Sequence, residues 1–441
     1  MRPILLNTGG AVLALALSWS AAFAQAPLIP PGVEASVRSA VDEGGRIGVV
    51  IGYGRGGETA FFSYGSTAVE GGGPIGPDTI FEVGSVTKVF TAELLAALAL
   101  DGAVSLHTPL AAIWPDRSVD PALTLADLAT HRAGLPRDIP ASALTGGEDA
   151  ALLAVLDEAS GNAAPAYSNA GMAILARALV RETGEPLPAL LERSVTGPLG
   201  MDSTGYEPAD RARLAHPHIG RLDIRATRGE TAPIARGAGG LYTTARDLMT
   251  FLEDHRGAQH GGAATRAGLA LAGVDAAPLG WQVHEANGRR IFHHGGEAEG
   301  YQAFIGFHGG QDGVRVVLLT NASAADDLQA IALHLLDPAM PLPVFASDAA
   351  PPQALARLTG AYVMEGDDQG SVITLVDLGD GLGYVETGPD GEAVRRARLE
   401  AVGPDEFRLL GTPVLIRFDP DRPGRARLVV GDQDIPLVRR D

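Results

Sequence analysis

Ser85 and Lys88 stand three residues apart in the stretch Gly84-Ser85-Val86-Thr87-Lys88-Val89-Phe90, and Lys88 is the sole lysine among the 34 lysine and arginine residues of the chain. Residues three apart share a helix face, so a helix starting near Ser85 brings a hydroxyl and an amine together. A serine hydroxyl is a poor nucleophile until a base takes its proton. A buried lysine near apolar or positive groups gives up its own proton near neutral pH, whereas an arginine effectively never does. The plainer alternative is a solvated lysine beside a helix-capping serine. At such a surface position arginine would serve as well, and this chain uses arginine almost everywhere else. The spacing therefore favours a nucleophile with its base.

The elements that would hold this pair follow from patterning. Residues 47–54 and 59–65 are apolar-rich runs separated by a Gly-rich turn, which predicts a β-hairpin. A helical pattern extends from Ser85 to about Asp101 and is closed by Gly102. Residues from about 103 to 235 are helix-rich. The clearest helix there begins at Ser168-Asn169, places Met172, Leu175, Leu179 and Val180 on one face, and stops at Gly184. Thr244 followed by Asp247 signals another helix start. From about 279 strands return, with Asn287-Gly288 as a hairpin turn, and a helix is expected at about 325–337. The first and last parts of this body can share one sheet with the helical section beside it.

A Pro-rich segment at 339–353 marks a boundary, and 354–441 reads as short strands broken by Gly, Asp and Pro turns. The expected organisation is thus a signal peptide at 1–24, a main domain at 25–338 with its helical part at about 103–235, the linker, and a small all-β domain. Arg2, the apolar run Gly10–Trp19 and Ala22-Phe23-Ala24 have the form of a secretory signal cleaved after Ala24. The expected location is the periplasm or the medium, with no stable membrane span after cleavage.

Composition removes several classes of function. With no cysteine there is no disulfide framework, thiolate metal site or cysteine nucleophile. A formal net charge of −19 argues against binding nucleic acid or anionic lipid. Adjacent strand residues point to opposite faces, so His293 and His294 are not expected to share a metal ion. His216 and His218 could form a pair, but they lie in no longer His/Asp metal motif. Neither a metal nor another cofactor is expected, and the partner is a small-molecule or peptide substrate.

Several segments, in order, resemble the serine β-lactamase and penicillin-binding protein superfamily, closest to its class C β-lactamase-like branch. They are Phe81–Lys88 with Ser-x-x-Lys, Leu128–Pro136 (LATHRAGLP), Tyr167-Ser168-Asn169, Pro198–Tyr206, Gly237–Leu248 and His293–Gly296 (HHGG). The resemblance covers roughly residues 35–335. It implies an α/β (α+β) serine β-lactamase-like fold: an antiparallel sheet flanked by helices, a helical subdomain, and here a C-terminal barrel-like module.

It also implies roles. Ser85 would be acylated, while Lys88 and Tyr167 would share the proton traffic, Tyr167 ionising more easily beside a cation. Asn169 would hold Lys88 and the substrate amide. The backbone N–H groups of Ser85 and Gly296 would form an oxyanion hole. His293 and Gly295 would line the substrate strand, with His293 standing where many relatives carry a lysine that grips the substrate carboxylate. That departure weakens the expected grip on a carboxylate. The function implied is hydrolysis of amide bonds in β-lactams or D-amino-acid cell-wall peptides through an acyl-serine. The alternatives are a carboxylesterase of the same fold, a non-catalytic penicillin-binding-like protein and, from another class, a metallohydrolase.

Overall fold

The structure, a computed structural model, describes residues 27–440 apart from 43–45, 147–148, 162, 258–278, 287, 309–312, 324–327, 344, 346–354, 366–369, 379–380, 410–413 and 431–432. The signal segment, Asn287 of the hairpin turn and most of the Pro-rich linker lie outside the described residues. Among the described residues, five helices have eight or more residues: α1 (Pro31–Asp42), α2 (Thr87–Leu100), α3 (Asn169–Thr183), α4 (Ala245–Gly257) and α5 (Gln329–Leu336). None is long and apolar enough to cross a membrane.

The predicted hairpin is present as β1 (Gly48–Arg55) and β2 (Glu58–Gly65), paired from Gly48↔Gly65 to Arg55↔Glu58. Short strands follow: β3 (Ile80–Glu82), β4 (His218–Ile219), β5 (Leu222–Asp223) and β6 (Tyr242–Thr244). Then come β7 (Gln282–Ala286), β8 (Arg289–Ala298), β9 (Tyr301–His308), β10 (Arg315–Thr320) and β11 (Ala322–Ser323). The main sheet runs β2-β1-β10-β9-β8-β7, antiparallel throughout, so the two ends of the main body do meet in one sheet.

Both faces of that sheet are covered, which is why β1 is buried along almost its whole length. Val49 and Ile51 face α1 and α5 with Val33, Val37, Ile331 and Leu335. Val50, one residue out of phase, faces the larger core with Phe90, Leu94, Phe251 and Leu252 from α2 and α4. Helix α2 is buried nearly all round, because α3 packs against it and the sheet core lies beside it. Ser168 caps α3 by accepting from Gly171 N–H, and Gly184 ends it with φ +73°. The Thr244 cap signal also holds, since its hydroxyl accepts from Asp247 N–H at 3.1 Å.

Beyond the linker, eight strands close a barrel: β12 (Gly360–Met364), β13 (Val372–Asp377), β14 (Leu382–Thr387), β15 (Ala393–Gly403), β16 (Glu406–Leu409), β17 (Leu415–Phe418), β18 (Arg425–Val430) and β19 (Gln433–Arg439). Closure comes from β12 pairing with β19, Val363 opposite Val438. The interior is packed with Tyr362, Ile373, Tyr384, Phe407, Ile416 and Leu437, so it is a core rather than a channel. The barrel meets the main body at β4–β5. There Leu378 joins Ile219 and Ile224, and the Arg396 guanidinium donates to the Asp223 carbonyl.

Candidate active site

The Ser85 segment is built by close backbone approach. β3 pairs with β6, and the chain then turns sharply: Gly84–Val86 forms a 3₁₀ turn before α2 begins at Thr87. The sequence predicts a helix from Ser85 itself. The difference arises because Gly84 takes φ +48° and passes against β8, where a Cβ would sit 2.2 Å from the Glu297 carbonyl oxygen. The reciprocal contact is at Gly296, where a Cβ would sit 2.0 Å from the Val83 carbonyl oxygen. Thr87 Oγ1 fixes the turn by donating to the Gly84 carbonyl at 2.6 Å and accepting from Leu241 N–H at 3.2 Å.

Ser85 then lies at the meeting point of three elements. Lys88 Nζ, from the first turn of α2, is 3.0 Å from Ser85 Oγ, and Tyr167 Oη, just before α3, donates to the same oxygen at 2.7 Å. Lys88 also donates to the Ala238 carbonyl at 2.6 Å, which aims the amine at the serine. The lysine is fully buried. Burial, and secondly the positive charge of Arg137, push its pKa down to about 7. It is therefore free to accept a proton near neutral pH. Tyr167 differs from expectation. Burial raises its pKa, outweighing the Ser85 hydrogen bond and the Arg137 charge, so it stays a neutral phenol and a proton donor.

The Leu128–Pro136 segment supplies the wall behind Tyr167. His131 has φ +59°, the one positive φ of a non-glycine residue among those described. That conformation turns its Nδ1 to accept from Ser168 N–H at 3.1 Å, and its ring lies 4.9 Å from the Tyr167 ring. Burial, then the Lys88 charge, lower its pKa to about 4, so it stays neutral. Farther along, Ser168 Oγ donates to the Pro136 carbonyl at 2.5 Å and Asn169 N–H to the Arg137 carbonyl at 2.7 Å. Arg137 is thereby set with its guanidinium carbon 5.0 Å from the Tyr167 ring centre.

On β8 the alternation selects the other histidine. His293 stacks on Phe304, on the α1/α5 side of the sheet. A Cβ at Gly295 would likewise meet the Gln329 side chain of α5, 2.8 Å away. Neither points toward Ser85. His294 does: it is buried, its ring lies 6.2 Å from that of Tyr167, and the Lys88 charge acts on it. Burial foremost lowers its pKa to about 3, so it is neutral as well. The signal was present in the sequence, because Gly296, placed at the oxyanion site, shares its strand parity with His294 and not with His293.

Asn169 opens α3 and lines the cavity with Ser85. Among the described residues no hydrogen bond joins Asn169 to Lys88; the Ala238 carbonyl takes that place. The cavity holds about 530 Å³, and Asp138, Arg228, Glu230 and Glu297 also line it. Its floor beside Ser85 is a buried ion pair, Glu82 with Arg228, braced by Thr231 Oγ1 donating to Glu82 at 2.8 Å and by Arg228 Nε donating to the Glu299 carbonyl at 2.8 Å. His216 and His218 serve other purposes. His216 contacts Arg225 and Asp223, and buried His218 spans Val69 N–H and the Asn321 carbonyl.

A helical body set against an antiparallel sheet, with serine, lysine and tyrosine in hydrogen-bond contact at their junction, is a recurring arrangement with known relatives. The Beta-lactamase family model matches residues 33–338, and the chain belongs to that family. It is 34% identical over 222 residues to the D-alanyl-D-alanine-carboxypeptidase/endopeptidase AmpH of Escherichia coli K12, a match covering 45% of this chain and 55% of the relative. The chain thus spans about half the length of that relative. It is 29% identical over 336 residues to penicillin-binding protein 4 of Amycolatopsis lactamdurans, covering 66% of this chain and 86% of the relative. Its fold is similar to the class C β-lactamase of Rhodobacter sphaeroides, with a TM-score of 0.61 and 23% identity over 70% of this chain and 98% of that one. That neighbour covers less of the chain than the barrel and the main body together.

Proposed function

We propose that the protein is an exported serine hydrolase that cleaves amide bonds, of the β-lactam or D-amino-acid cell-wall-peptide type, through an acyl-Ser85 intermediate. The observation that carries this reading is the contact of Ser85 Oγ with a buried Lys88 whose pKa is pushed to about 7. In acylation the Ser85 proton moves to Lys88 Nζ as Oγ bonds the carbonyl carbon. The neutral phenol of Tyr167 gives its proton to the leaving nitrogen as the C–N bond breaks, and Lys88 restores it. Water then attacks the ester, and the proton path runs in reverse. Backbone N–H groups of the Ser85 turn and of β8 near Gly296 would stabilise the oxyanion, each worth roughly 3–4 kcal/mol. The relatives named above support the amide class, and the Arg2 to Ala24 segment supports export.

The test is an intact-mass time course of the mature protein mixed with a penicillin, with Ser85→Ala alongside. We expect a mass gain equal to the antibiotic, absent in the variant. A lasting adduct would mark slow, peptidase-like deacylation, and a fleeting adduct with antibiotic consumed would mark a β-lactamase. No adduct with intact antibiotic, together with serine-dependent cleavage of small esters, would replace the amide reading by the esterase one.

A further inference from the structure

Beside Ser85 the cavity floor carries an ion pair that the acyl-transfer chemistry does not use. Glu82 is buried, and the Arg228 side chain that pairs with it is 10% exposed. Two charges taken out of water give little net stability, and an apolar pair of similar volume often holds a fold as well. What such a pair supplies is direction. Arg228 donates to the Glu82 carboxylate through Nη2 and to the Glu299 carbonyl through Nε, the latter at 2.8 Å. Its guanidinium carbon also lies 5.2 Å from the Tyr301 ring centre. The Tyr301 hydroxyl in turn donates to the Ala215 carbonyl at 2.6 Å, and Ala215 N–H donates to the Ile80 carbonyl of β3 at 3.0 Å.

These partners flank the close approach of two backbones at the site. Glu82 stands directly before Val83 and Gly84, and Glu299 shortly after Gly296 and Glu297, the residues in mutual contact. The glycines let the backbones come near, but they carry no side chain to stop one sliding along the other. A planar guanidinium bonded to both sides fixes that slide. Its side-chain partners all lie within residues 33–338, so the fork holds without the barrel.

We propose that Arg228 is a positioning residue for acylation, holding the Ser85 turn and β8 in the register that aims their backbone N–H groups at one oxyanion. The proposal rests on the acyl-serine reading. Arg228 acts through the two backbones, where a slip of about 1 Å costs on the order of 100-fold in rate.

The experiment measures acylation by a penicillin and turnover of a small activated ester, each over a range of concentrations. Wild type, Arg228→Lys, the double variant Glu82→Leu with Arg228→Met, and Ser85→Ala are compared, with a thermal melt of each. The double variant replaces the ion pair by an apolar one, so we expect it to melt no lower than wild type. Its maximal acylation rate and its kcat on the ester should nevertheless fall roughly 10- to 100-fold, with half-saturating concentrations within about threefold of wild type. Arg228→Lys keeps Glu82 paired but loses the fork that also reaches the Glu299 carbonyl, and should fall about 10-fold. If the double variant is unstable, Arg228→Lys decides alone, and the ester carries the test if the penicillin does not react. Maximal rates within about twofold of wild type in either folded variant would overturn the proposal, and so would a loss confined to half-saturation. Turnover surviving in Ser85→Ala would instead overturn the acyl-serine reading, and the proposal with it.

Discussion

At the scale of residues, the site depends on one amine kept out of water. Burial holds the Lys88 pKa at about 7, well below the 10.5 of an ordinary lysine, and the sign of two effects follows. Acylation needs the neutral amine, so kcat/KM should rise with pH through a midpoint near 7 and stay high above it. Tyr167 and His131 add no descending limb in that range, since the phenol titrates above its usual 10 and the imidazole near 4. A pH–rate profile on any turned-over substrate checks this, and a flat profile from pH 5 to 9 would remove Lys88 as the base. The stability effect runs in the same direction. Below about 7 the folded and unfolded chains both carry the proton, and the folded state bears the full cost of a buried charge; between 7 and 10.5 only the unfolded state binds it, so stability climbs with pH. Lys88→Met should therefore abolish turnover, by about 10³-fold or more, yet melt higher than wild type at pH 7, the gain on the order of a few kcal/mol. That difference should shrink toward pH 10.5 in thermal melts.

At the scale of elements, the site is a meeting of three backbones that only small residues or unusual dihedrals permit. Gly296 is the tightest point, and Gly296→Ala forces β8 away from the Ser85 turn. We expect a folded protein destabilised by roughly 1–3 kcal/mol, with acylation by a penicillin lost in the same mass assay that labels wild type. The loop from Leu128 to Pro136 is the second such element. His131 pays for a left-handed backbone with a hydrogen bond to the start of α3 and a wall for Tyr167. His131→Ala keeps the strain and leaves the Ser168 N–H unpaired. A loss of about 1–3 kcal/mol in denaturant melts, with kcat falling more than KM rises, is the expected outcome. Gly at this position would relieve the strain but restore neither the Ser168 partner nor the wall, so His131→Gly should recover part of the stability without recovering kcat.

At the scale of the molecule, the barrel reaches the cavity indirectly. It docks on β4–β5 through Leu378 and Arg396. That hairpin continues through Ile224, whose carbonyl accepts from Arg228 N–H at 2.9 Å, to the Glu82–Arg228 pair under the cavity. Weakening the dock should therefore be felt by substrates that fill the cavity and not by small ones. Leu378→Asp, which puts a carboxylate into a buried apolar cluster, is expected to raise KM several-fold for a peptide substrate while leaving a small activated ester nearly unaffected. Equal KM values for both substrates in wild type and variant would separate the barrel from substrate choice.

Much was legible before folding because it is local or periodic. The Ser85–Lys88 spacing, the lone lysine, the α3 stop at Gly184, the β1–β2 hairpin and the strand-rich C-terminal segment are all written in neighbouring residues, where helix period, strand alternation and turn chemistry act. What the tertiary structure decided depends on segments far apart in the chain. Strand alternation said that His293 and His294 face opposite ways, but only the packing of β8 between α5 and the Ser85 turn chose His294. The same holds for Ala238, whose carbonyl replaces Asn169 as the partner of Lys88, and for Arg137, set beside Tyr167 by hydrogen bonds across about thirty residues. The pKa values were decided last. Burial and neighbouring charge are properties of the assembled core, and they bring the Lys88 pKa down to about 7 while keeping Tyr167 a phenol.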